Sequence, residues 1–181
     1  INEQVVLFGP YQQETWQIAF NPEKIEGVDT VAKFQYHPIG VEIDTLPDFY
    51  LSSGLQGRMR EQVRHYPNVR KAFDAMREGT VSAVMGMRAE IDHELGRPGN
   101  TEFQLAGNGF PGIGKQVWDV GMAIKHTHRQ LGYAIEAIIG DLVKSGDMQA
   151  LFAELGLRYS VPQYYREFLS EEALTKAEGQ R

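Results

Sequence analysis

The sequence contains no cysteine. That absence removes disulfides, thiolate metal sites and thiol nucleophiles together, and it leaves the compartment open. Long apolar runs are missing as well. A membrane helix needs about 20 consecutive apolar residues, and charge or glycine interrupts the longest segments here within a few positions. No membrane-inserted segment is therefore expected. Basic charge is also short: 18 Lys and Arg stand against 24 Asp and Glu, a net charge of −6. A phosphate backbone finds nothing to bind in such a balance. Arg58, Arg60, Arg64, Arg70 and Lys71 are interspersed with Glu61 and Asp74. They read as a solvated helix face, not as a nucleic-acid patch. Neither an initiating methionine nor a leader stands before Ile1, so a processed, trimmed or partly visible chain is expected.

What is present is globular. Of 181 residues, 42% are hydrophobic and 23% charged, enough for one core or two small ones. Val5–Phe8 reads as a strand stopped by Gly9-Pro10, and Trp16–Phe20 as a second strand stopped by Asn21-Pro22. Ile25–Val31 is linker-like. Pro38–Ile43 is a strand, after which Thr45 or Asp48 is suited to cap a helix. Gln56–Val63 is amphipathic and reads as helix up to Pro67-Asn68. Asn68 then caps a helix with Val69, Ala72, Phe73 and Met76 on one face, ended by Gly79. The near-continuous apolar run Val81–Met85 suggests a buried strand of a parallel sheet. Ala89–Leu95 is a short helix, Phe103–Leu105 a strand, Asn108–Gly114 a loop and Trp118–Ile124 a strand. Leu131, Ile135, Ile138, Ile139 and Leu142 mark a helix, and Met148–Leu155 another. The charged tail Ser170–Arg181 is compatible with a helix and is expected to fray. The alternation is that of an α/β fold with a parallel or mixed sheet.

Chemistry is harder to assemble. His126-Thr127-His128 and Asp92-His93-Glu94 are the only histidine clusters. The first sits at a strand-to-helix turn, and the second spreads its carboxylates over different helix faces, so no metal site is expected. Gly107–Gly114 lacks the Gly-Lys-Ser/Thr order of a phosphate loop. Ser52-Ser53-Gly54 lacks the spacing of a nucleophile elbow. Nothing brings an acid, a base and a nucleophile together, so neither catalysis nor a cofactor is expected.

Three segments, in order and spanning roughly Val5 to Leu157, resemble a family. Phe8-Gly9-Pro10-Tyr11 is similar to the "S-x-P-Y" element on the strand that crosses between lobes in the extracellular solute-binding proteins (periplasmic binding protein type II). Ala72–Gly86 is similar to that family's Gly-x-Val-Asp-Ala-Val-Val-Gly run. Val120–Lys125, the Leu131–Ile139 stripe, Ser145–Met148 and Leu155-Gly156-Leu157 resemble its ending. The resemblance implies a two-lobed α/β fold, with lobe two over 31–107 complete. Residues 1–30 and 108–181 would be crossing strands and C-terminal helices of a partial lobe one. It also implies that the first half of lobe one precedes Ile1 in a longer protein that was proteolysed or only partly ordered.

The resemblance weakens where the family grips an amino acid. Its Gly-Thr-Thr turn for the ligand carboxylate aligns with Asp44, Thr45 and Leu46. Its ammonium-accepting aspartate aligns with Met87, or with Gly86 or Arg88 if the alignment shifts by one. The expected cleft is instead aromatic and apolar, lined by Tyr11, Trp16, Asp44, Thr45, Met87, Phe110 and Trp118, with Phe8 nearby. Aromatics at strand positions are more often core than ligand platforms. A binding protein without the clamp is expected to serve a protein partner. One branch of the family, the J-type accessory proteins of quinoprotein methanol dehydrogenases, has this character, and Trp118–Met122 is similar to its return strand. The expected function is therefore a periplasmic, non-enzymatic accessory protein of such a dehydrogenase. The alternative is a solute receptor that delivers a polar or amino-acid-like small molecule to the permease of an ABC importer. A dehydratase on the same fold is a third reading; it would need Asp44 or Glu42 as the acid.

Overall fold

The computed structural model describes residues 4–107 and 116–178. The chain divides into two compact units, one of Thr15–Gln116 and one of Ile1–Glu14 with Val117–Arg181.

The first unit is built on a mixed sheet. Its strands are the second half of β1 (Val5–Phe20), β2 (Ile39–Glu42), β3 (Val63–Tyr66), β4 (Ala83–Met87) and β5 (Gln104–Leu105), in the order β3-β2-β4-β1-β5. β2 runs parallel to β3 and β4. β1 runs antiparallel to β4, with Trp16 opposite Met87 and Phe20 opposite Ala83. Helices α1 (Leu46–Ser53), α2 (Val69–Arg77) and α3 (Arg88–Leu95) complete it. β4 is apolar along its length because both its neighbours and the helices cover it, and Ala83 to Met85 are fully buried. α2 starts where the Asn68 side chain accepts the Lys71 amide at 2.9 Å. Its Val69, Ala72, Phe73 and Met76 are buried against Val81, Val84 and Ile91. The carboxylate of Glu94 on α3 is buried but met by Arg70 at 3.3 Å and Arg97 at 3.2 Å, as a desolvated charge requires.

The second unit pairs the first half of β1 with β6 (Val117–Lys125). It adds α4 (Arg129–Ser145), α5 (Asp147–Glu154), α6 (Gln163–Arg166) and α7 (Glu171–Glu178). Gly146 takes φ +87 between α4 and α5, the left-handed turn that lets the chain reverse. Ile139, Val143, Met148, Val161, Tyr165 and Ala177 form the core.

Four expectations change. Gly9-Pro10 does not end a strand: β1 runs unbroken for 16 residues. Gly9 absorbs the kink at φ +51, and a Cβ there would lie 2.8 Å from Ile139. The stretch 56–63 is not an α-helix. Gln56 sits at φ +59 inside one 3₁₀ turn, Leu55–Gly57, a second spans Arg60–Gln62, and Val63 leads into β3, where it pairs with Ile39. Residues 25–31 are more than a linker, since Ile25 and Val28 are buried. The tail does not fray before Glu178. α7 packs on α4 and α5, Ala177 is 1% exposed, and Glu178 pairs with Arg166. In the Thr15–Gln116 unit, Trp16–Phe20 is hydrogen-bonded into the sheet.

Candidate functional site

The β2–α1 turn concentrates polar groups at a helix start. β2 delivers Glu42, and the chain then turns through Asp44, which takes φ +61. Aspartate is among the few non-glycine residues that tolerate that region. Thr45 is the N-cap of α1. Its hydroxyl donates to the Glu42 carbonyl at 2.7 Å and accepts the Asp48 amide at 3.4 Å. Pro47 follows in the first turn and has no N–H to offer.

Asp48 is the hub of this turn. One carboxylate oxygen accepts the Asp44 amide at 3.0 Å. The other meets the Ser52 hydroxyl at 2.8 Å and the His65 ring Nε2 at 2.9 Å. Burial would raise its pKa, but hydrogen bonds from Ser52, the Asp44 amide and His65 outweigh that and hold the carboxyl below its ordinary value. The positive end of α1 favours the same charged form.

The chemical consequence is direct. A helix start can bind an anion only through amides not already taken. Here the amides of Asp44 and Asp48 are satisfied from within the turn, and Pro47 has none. Asp44 and Asp48 set two carboxyl groups in this turn, and both oxygens of Asp48 are already hydrogen-bonded within it. Around it the apolar side chains Ile43, Leu46 and Phe49 are 51%, 49% and 66% exposed.

The remaining sequence-expected positions distribute as follows. Met87, half-buried, ends β4 beside Trp16, and its amide donates to Glu90 at 3.3 Å. Its thioether offers no charge to an ammonium. Trp16 is 4% exposed and lies edge-on to Tyr50 at 4.5 Å. It is a buried ring of this unit. Tyr50 in turn accepts a hydrogen bond from Gln116 at 2.9 Å. Asp44 and Thr45 are together in the turn. Tyr11 and Trp118 belong to the other unit, where Tyr11 packs on the core around Ile139 and Val143. Phe8 there is buried and edge-on to Tyr133. Phe110 lies outside the described residues. Among the described residues no group of three or more His, Asp or Glu side chains could hold a metal ion.

Sequence reasoning named Asp48 only as a possible cap and missed its partners Ser52 and His65. The signal was there: Thr45-x-x-Asp48 has the spacing of a reciprocal helix cap. His65 had none, because β3 was read as helix.

No protein-family model matches the chain, and no curated protein matches it. Solved structures do. A solute receptor for L-cysteine of Neisseria gonorrhoeae superposes with TM-score 0.65 at 17% identity, covering 93% of this chain and 62% of that one. An amino acid ABC transporter substrate-binding protein of Streptococcus pneumoniae, bound to L-arginine, gives 0.69 at 16%, covering 85% and 62%. An ancestral arginine-binding protein bound to glutamine gives 0.63 at 18%, covering 86% and 67%. The fold is thus that of the two-lobed type II periplasmic binding proteins. The chain spans about three fifths of the length of the first two structures.

Proposed function

We propose that this chain is part of a periplasmic or extracellular solute receptor that hands a polar small molecule to an ABC importer, and that it works by binding, without catalysis. The observation that carries the reading is the shared fold with three proteins described as amino acid receptors or binding proteins. None of the helices among the described residues is long and apolar enough to cross a membrane, which suits a protein that meets its permease from outside the bilayer. The β2–α1 turn narrows the ligand. With Asp44 and Asp48 at the helix start, the contact offered by this unit is to a cationic or neutral group, such as the side chain of arginine, and not to an α-carboxylate.

The test is a thermal-shift and calorimetric screen of the protein against L-arginine, L-lysine, L-glutamine and L-cysteine. At least one compound should bind saturably and raise Tm, with Asp44→Asn weakening a cationic ligand by about tenfold. If no compound shifts Tm, the receptor reading is wrong. If Asp44→Asn strengthens binding, the charge preference is reversed.

A second reading keeps the accessory role towards a periplasmic quinoprotein methanol dehydrogenase. The exposed Ile43, Leu46 and Phe49 favour it, because a cluster of apolar side chains around an already satisfied turn suits a protein surface. The dehydrogenase itself rests on the sequence resemblance alone, and none of the structures above is such a protein. Biosensor measurements with the purified dehydrogenase decide it: Phe49→Ser should abolish any association that this face makes.

A further inference from the structure

The outer face of α2 carries more positive charge than its carboxylates balance. Arg70, Asp74 and Arg77 stand at i, i+4 and i+7 and so share one side of the helix, away from buried Ala72 and Met76. With Arg97, just after α3, they line an open recess of about 390 Å³ in the Thr15–Gln116 unit. Each guanidinium is held in place. The buried carboxylate of Glu94 accepts from the Arg70 Nε at 3.3 Å and from the Arg97 Nη1 at 3.2 Å. Asp74 accepts from the Arg77 Nη1 and from the Lys71 Nζ, both at 3.1 Å. The Arg77 guanidinium also lies over the Phe103 ring, 5.8 Å from its centre. The turn that carries Arg97 is closed by Asn100, whose amide donates to the Arg97 carbonyl and whose side chain donates to the Leu95 carbonyl, both at 3.1 Å.

Two observations point to an anionic ligand. The first is the charge balance. One carboxylate serves two arginines, and another serves an arginine and a lysine. Glu102, 4.0 Å from the Arg77 Nε, is the third. Four cations thus face three carboxylates, in a chain whose net charge is −6. Guanidiniums drawn together on one carboxylate repel each other, and an arriving anion relieves that repulsion. The second is unused hydrogen-bonding capacity. A guanidinium carries five N–H donors in a rigid plane, and Arg70, Arg77 and Arg97 each spend one on a carboxylate hydrogen bond. Their planar forks match the oxygens of an oxyanion better than an ammonium does.

We infer that the recess between α2 and the turn after α3 binds a small molecule bearing two oxyanion groups of the phosphate kind. Arg70 and Arg97, brought together on Glu94, take one group. Arg77 lies two helical turns from Arg70, about 10 Å along the axis, and takes the second. The inference is independent of the receptor reading, because no residue of the β2–α1 turn takes part.

The test is isothermal titration of the whole protein with sodium pyrophosphate at neutral pH, with orthophosphate as the single-group comparison. Saturable one-to-one binding of pyrophosphate is expected, about tenfold tighter than that of orthophosphate. Arg77→Gln should weaken it about tenfold. Arg97→Lys keeps a charge on Glu94 but loses the fork, and should weaken it about fivefold. Arg129→Gln on α4 removes the same charge elsewhere and should leave binding unchanged. In Arg77→Gln, Asp74 keeps Lys71 as its partner, so the fold survives, as circular dichroism checks, and this variant decides alone if Arg97→Lys does not fold. Four results overturn the proposal: no saturable binding of pyrophosphate, orthophosphate binding as tightly, binding undiminished in the recess variants that fold, or an equal loss in Arg129→Gln.

Discussion

Single side chains in this protein carry more than their neighbourhood in sequence suggests. Asp48 is the clearest. Its carboxyl is held below the ordinary aspartate range, so the folded state binds its proton less readily than the unfolded state does. A depressed carboxyl contributes stability that is present above the unfolded pKa, near about 4, and lost as pH falls through the folded value. Asp48→Asn should therefore lower stability by about 1–2 kcal/mol at neutral pH and flatten the loss of stability below about pH 4. Thermal melts across pH 3 to 7 check both; a variant with an unchanged acid limb would refute the hub. Gly132 makes a second residue-scale prediction. Alanine is the better helix former by about 1 kcal/mol, but a Cβ at 132 would lie 2.4 Å from the Phe8 ring. Overpacking of that kind costs about 1–3 kcal/mol, so the clash wins and Gly132→Ala should lower the urea midpoint.

Elements were legible in the sequence where a local signal and the tertiary contacts agreed. α2 is the example: its Asn68 cap, its buried face and its Gly79 stop all come from residues within a dozen positions. β3 was not legible, because Arg64 and His65 point outward and only pairing with β2 makes this short segment a strand. β1 was cut too soon for the opposite reason. Gly9-Pro10 signals a turn locally, and the sheet overrides it. The candidate turn was half legible. Asp44 and Thr45 were named, while the contact of Asp48 with His65 joins residues 17 apart and leaves no local trace. The packing of α7 escaped because its charged composition hides one inward face. That face is testable: Ala177→Asp would bury a carboxylate in the core with Val143 and Tyr165, costing about 2–4 kcal/mol. The near-ultraviolet tyrosine signal should weaken with it.

At the scale of the molecule the two units differ in how they are wired. Thr15–Gln116 is one continuous segment with its own core, so expressed alone it should melt cooperatively with the circular dichroism of an α/β domain. A non-cooperative melt would show that it needs the rest of the chain. The other unit presents Leu131 and Ile138, one heptad apart on α4 and 55% and 60% exposed, along with exposed Leu151 and Leu155 on and just after α5. Apolar surface of that extent promotes association. Sedimentation should show concentration-dependent oligomers that Leu131→Lys with Ile138→Lys dissolves.

The wiring also sets a timetable. β1 leaves the ribosome before the strands it pairs with, and its second half meets β4 once the continuous unit is made. Its first half belongs with β6, which arrives about a hundred residues later. Closing a loop of that length costs about 4 kcal/mol in chain entropy, returned only when α4 seats Gly132 against Phe8. Until then half of a 16-residue strand waits with an open edge, a state exposed to misassembly. Slowing translation after residue 116 should lengthen that exposure, and the soluble yield of the protein should fall with it.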